Sequence, residues 1–186
     1  KHLCNSSKKH LNKYAFHTLC LLHSPCDINR LWYYFHSYIE LINRKDIIDK
    51  NDTYYLCFGV IDILLQNEIY DRKLITTLAK TGVSIFPDRA EIYNRLGIFY
   101  YRIHSYRISY YYYEIALSKN LDSLELSEND NIHMDAYTIN NNSEIMISAL
   151  LIGKKREFMK YKELYEKYCI HSNKDAVLLY INRFDR

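Results

Sequence analysis

Four glycines and two prolines are the only strong chain breakers in these 186 residues, and that scarcity limits the fold more than any motif does. A sandwich or barrel would need turn residues about every 8–12 positions, whereas a helix needs them only at its ends. The chain is 48% hydrophobic and 25% charged, so it carries enough apolar material to bury a core without disulfide or metal staples. The expectation is an all-α fold, organised as one helical-repeat domain over 1–186.

Charge and cysteine usage narrow the class further. Lys plus Arg number 25 against 22 for Asp plus Glu, a net charge of +3, which is mild beside the strongly basic balance of many nucleic-acid binders. Five cysteines, an odd number with no Cys-x-x-Cys pair, do not make a secreted disulfide framework. They fit a reducing intracellular compartment, with the cytoplasm and a mitochondrion or other organelle equally compatible. The longest apolar stretches, Leu56–Leu65 and Ile145–Ile152, fall short of the roughly 20 residues that span a bilayer.

The most regular segment runs from Ala90 to Leu121, AEIYNRLGIFYYRIHSYRISYYYYEIALSKNL. Tyr93, Leu96, Gly97 and Tyr100 take the spacing W-x2-L-G-x2-Y with Tyr in place of Trp, and Tyr106, Ser109, Tyr113 and Ala116 continue the pattern. This segment resembles one tetratricopeptide repeat, a helix-turn-helix unit of about 34 residues. It departs from that pattern at His104 for the turn Gly, Ser109 for Ala and Leu121 for Pro. The packing logic is that small residues, here Gly97 and Ala116, sit where two helices cross closely. Asp88-x-x-Glu91 reads as a capping box for the first helix, and Ser105 as the cap of the second.

The same frame places helix pairs at about 8–44, 52–86, 88–119 and 139–170, a closing helix at 173–184 and a loop at 120–135. In the second pair Gly59 takes the small position, with Tyr55 and Phe58 around it. Asp71 to Ile85 then presents Leu74, Ile75, Leu78, Ala79 and Gly82 as one stripe, with about four extra residues near Gln66 to Tyr70. In the fourth pair Gly153 is the turn glycine. Ile145, Met146 and Ala149 line the helix before it, and Phe158, Tyr161 and Tyr165 line the helix after it. Ala176 and Leu179, with Tyr180 and Phe184, are the expected closing face.

The resemblance implies helix pairs stacked as a short right-handed superhelix with a concave groove lined by the first helices. It implies a non-catalytic scaffold or adaptor, a subunit of a larger assembly that holds a protein partner. The expected partner-binding residues are Asn94, Ile98, Tyr101 and Arg102 on an exposed first-helix face, with Tyr111 on the outer face. Tyr110-Tyr111-Tyr112-Tyr113 covers more than one helical turn, so one packing face cannot hide all four. Tyr110 and Tyr113 are expected in the core, Tyr112 capping the groove and Tyr111 on the exposed surface.

The alternative is an RNA-associated subunit of a ribonucleoprotein such as an organellar ribosome. Lys154, Lys155 and Arg156, with Lys160 and Lys162 beyond them, are then the expected RNA contact. His17, Cys20, His23 and Cys26 are metal-ligand residue types, but steps of three residues on a helix drift by about 60° and spread the side chains round it. No metal or cofactor is expected. The chain lacks G-x-G-x-x-G, the P-loop, H-E-x-x-H and G-x-S-x-G, and no enzymatic activity is expected.

Overall fold

The computed structural model describes residues 50–120, 134–137, 143–168, 177–179 and 181, and these hold helices, turns and short irregular links with no strand among them. Six α-helices follow in order: α1 (Lys50–Gln66), α2 (Arg72–Ile85), α3 (Glu91–Arg102), α4 (Tyr106–Ser118), α5 (Ser143–Leu151) and α6 (Lys155–Tyr168). A 3-10 turn, Met134–Tyr137, lies between α4 and α5, inside and just past the stretch expected to be loop. The first helix pair, the His17–Cys26 cluster and most of the closing helix lie outside the described residues. The chain forms two compact units, 1–87 and 88–186.

In the first unit α1 packs against α2. Apolar side chains surround most of α1, and Tyr54, Cys57, Ile61 and Leu64 are all but inaccessible, as a helix without a polar face must be. α2 is amphipathic in the usual way. Leu74, Ile75, Leu78, Ala79 and Gly82 form its buried stripe, as the 3.6-residue spacing predicts. Its start is fixed locally, because the Leu74 N–H donates to the Asp71 carboxylate at 3.0 Å. Burial pushes the Cys57 thiol up to about 12, against a hydrogen bond to the Gly82 backbone that favours its charged form.

In the second unit α3 packs on α4, α4 on α5 and α5 on α6, while α3 also touches α5. Tyr110, Tyr113, Ile145, Met146, Ala149, Phe158, Tyr161 and Tyr165 make one core with Ile181. Each fully buried side chain of this size contributes about 1.5–3 kcal/mol. Gly97 is small for a specific reason: a Cβ there would lie 2.9 Å from three carbons of the Tyr113 ring. The Ser109 hydroxyl donates to the Gly97 carbonyl at 2.9 Å across the same crossing. Ala116 is small for another, since it packs with Ala90 and Ala136. The small residues therefore face an aromatic ring in one place and other alanines in the second, rather than each other.

Three of the helices end in the same turn. After α1 the Ile69 N–H donates to the Leu64 carbonyl and Glu68 N–H to Leu65. After α3, Ser105 donates to Tyr100 and His104 to Tyr101. After α5, Lys154 donates to Ala149 and Gly153 to Leu150. In each the residue closing the helix is left-handed: Glu68 at φ 57°, His104 at 59° and Gly153 at 77°. This paired-bond C-terminus satisfies carbonyls the helix cannot use itself. Each turn leads directly into the partner helix, which gives three hairpins of matching design.

Three expectations are corrected. Asp88 and Glu91 do not form a capping box. α3 begins with Ala90 as its flanking residue and no side-chain cap, Asp88 lies 3.7 Å from Lys119, and Glu91 turns instead to Arg89 at 2.7 Å. Burial is the cause: Glu91 is 1% accessible and needs a cation more than a backbone N–H. Ser105 stands at the start of α4, but its hydroxyl makes no cap bond. In the closing segment Leu179 is 61% exposed, while Ile181 takes the buried place.

Candidate functional site

α3 is the helix on which the expected partner-binding residues lie, and its surroundings decide which of them are available. It packs against α4, α5 and the 3-10 turn, so its buried face is broader than one stripe. Asn94 is caught within it. Expected to be exposed, it is 1% accessible, and its Oδ1 accepts from Arg95 Nη1 at 3.0 Å. Ile98 is half-buried against the aromatic core of the second unit. Neither is a free surface group.

The C-terminal turn of α3 stays available. Arg102 is exposed and Tyr101 half-exposed, with the Tyr101 ring edge-on to Tyr106 at 5.7 Å. Tyr106 is held in turn by His104, whose Nδ1 lies 2.8 Å from its hydroxyl. A second aromatic ledge runs from α3 to α4. Tyr100 stacks on Tyr112 at 5.5 Å and 11°, and Tyr111 meets Tyr112 edge-on. Of the four consecutive tyrosines Tyr110 and Tyr113 are buried and Tyr111 is 58% exposed, as expected, while Tyr112 is half-exposed.

Beneath the first ledge lies a polar group that the sequence did not single out. The Tyr113 hydroxyl is fully buried and has no hydrogen-bond partner among the described residues. Burial raises its pKa well above the usual phenol value, with Glu144 adding to the rise and Arg95 and Arg102 opposing it. Glu144, in the first turn of α5, is itself raised by burial against its own backbone N–H, Arg102 and Arg95. The Arg89–Glu91 pair was missed as well. Tyr137 joins it, donating to Glu91 at 3.1 Å and accepting from the Ala90 N–H at 3.1 Å, and burial pushes this phenol up to about 12.

Lys154, Lys155 and Arg156 are all exposed at the start of α6. The Lys154 ammonium lies 4.1 Å from the centre of the Tyr110 ring, whose hydroxyl donates to Glu114 at 2.5 Å. One of the three cations is thus engaged by its own protein. α6 also interleaves Glu157, Glu163 and Glu166 among its cations.

The chemistry on offer is that of a binding surface: aromatic faces, an exposed guanidinium and hydroxyls. Among the described residues no three His, Cys, Asp or Glu side chains are placed to hold a metal ion, and no helix is long and apolar enough to cross a membrane. Comparison with family models, with characterised proteins and with solved structures gives no match to this chain.

Proposed function

We propose that the chain is a non-catalytic helical-repeat scaffold, similar to tetratricopeptide proteins, that holds a protein partner within a larger assembly. The observation that carries this reading is the recurrence of one hairpin design, with Glu68, His104 and Gly153 in the same left-handed position closing the first helix of each pair. Such a terminus is common in helices generally, but here it falls on the first helix of each pair, whereas α2 and α4 end at Phe86 and Lys119 without a left-handed residue, so it marks the turn inside the pair. Repeated hairpins cannot bury their faces alone, and stacking them leaves an extended surface whose default use is binding.

The contact surface is assigned to Tyr101, Arg102 and Tyr106 at the end of α3 and to Tyr111 on α4. Tyrosine and arginine are enriched at interfaces, because they bury large area and keep polar tips. Ile98 supports this surface from below, and Asn94 is withdrawn from it.

The test is affinity purification of the chain from its native source, as wild type and as the double variant Tyr101→Ala/Arg102→Ala. Loss of a reproducible set of co-purifying proteins, with the melting temperature moved by no more than about 2 °C, supports the scaffold reading. An identical set from both would overturn the assignment of that surface.

A further inference from the structure

Among the described helices, α2 alone carries cations and no carboxylate. Its sequence, RKLITTLAKTGVSI, holds Arg72, Lys73 and Lys80 with neither Asp nor Glu. The other described helices with cations all mix in acidic residues. Lys73, Thr77, Lys80 and Ser84 are exposed and fall within about 60° of one another round the axis, forming a stripe roughly 16 Å long. Among the described residues no carboxylate pairs with either lysine.

The hydroxyls of the stripe, and of Thr81 beside it, donate into the helix. Thr77 donates to the Lys73 carbonyl at 2.8 Å, Thr81 to Thr77 at 3.1 Å and Ser84 to Thr81 at 2.7 Å. With their protons turned into the helix, they face outward as acceptors. The stripe therefore alternates cations with hydrogen-bond acceptors.

We propose that this face of α2 binds the sugar–phosphate backbone of single-stranded RNA, the ammonium groups meeting phosphates and the outward hydroxyl oxygens accepting from ribose 2′-hydroxyls. A protein partner is disfavoured because the stripe has no aromatic or apolar anchor at its centre. A membrane surface is disfavoured because no apolar side chain stands among the lysines to enter it. An acidic peptide would also satisfy the lysines, and its backbone N–H groups could meet Thr77 and Ser84, so competition by polyglutamate is an arm of the experiment. RNA carries one anion and one hydroxyl donor in every nucleotide, a repeat that matches the alternation of the stripe. The proposal concerns the first unit and does not rest on the repeat reading.

The experiment is fluorescence anisotropy of labelled oligouridine RNA with the full chain, titrated across a range of KCl concentrations. The variant Lys73→Glu/Lys80→Glu is expected to bind at least tenfold more weakly. The slope of log affinity against log salt should flatten by about 1.4, at roughly 0.7 per lost phosphate contact. Lys73→Gln/Lys80→Gln, which removes charge without reversing it, should show the same direction with a smaller loss, and circular dichroism should show both variants folded. Absence of RNA binding by the wild-type chain at low salt would overturn the proposal. So would unchanged binding by the folded variants, competition by polyglutamate as effective as by RNA, or equal affinity for a DNA oligomer of matching sequence.

Discussion

The α1–α2 and α3–α4 hairpins share a turn and differ in what fixes their second helix. α2 is started by its own neighbour, Asp71, which accepts from Leu74. α4 starts at Ser105 with no side-chain cap and is held instead by the Ser109 bond to Gly97 and by the Tyr113 ring laid over that glycine. The first hairpin is thus written locally and the second through contacts between helices. A local device is worth about 1 kcal/mol, while close packing and buried charge are worth several. Sensitivity to substitution should divide accordingly.

The largest expected effect is Arg89→Ala. It leaves Glu91, 1% accessible, without its 2.7 Å ion-pair partner, and should cost about 3–5 kcal/mol in urea denaturation. Replacing both residues by Leu should cost much less, since the penalty comes from one uncompensated charge. Gly97→Leu follows, at about 3 kcal/mol, because the Tyr113 ring it meets is fully buried and cannot swing aside. Normal stability in this variant would remove the crossing as the basis of the second hairpin. In the first hairpin Asp71→Ala should cost only about 1 kcal/mol by the same measurement. A loss as large as that of Gly97→Leu would erase the contrast.

Smaller still are substitutions at the shared turn. Glu68→Gly relieves a left-handed backbone and should stabilise by about 0.5–1 kcal/mol in thermal melts. His104→Gly should gain less, since it also gives up the 2.8 Å contact with Tyr106. The subtlest effect concerns Glu144. Its folded-state pKa is raised above 4.5 by burial, so the native state holds a proton that the unfolded chain has released. Stability therefore falls as pH rises from about 4.5 through the folded value, and Glu144→Gln should flatten that decline.

The division also explains what could be read from the sequence. The stripes on α2, α5 and α6 were legible because burial there follows the helical period, from Leu74 to Gly82 and from Phe158 to Tyr165. The order of burial along Tyr110–Tyr113 was legible for the same reason. Asn94 was misplaced because α3 is covered on more than one side, which no single-helix pattern records. Arg89 and Glu91 sit two residues apart, a spacing that does not face on a helix. They meet only because Arg89 precedes the helix and Tyr137 arrives from outside it. The α2 stripe is hidden in the sequence because Lys73 and Lys80 stand seven residues apart and come together only along one helical face.

Tyr137, in the 3-10 turn, bonds Glu91 and Ala90, and Lys119, just past α4, lies beside Asp88, so two later parts of the chain come to the start of α3. The start of α3 is thereby a meeting point for chain that lies well downstream of it, so a change at Glu91 is felt outside its own helix.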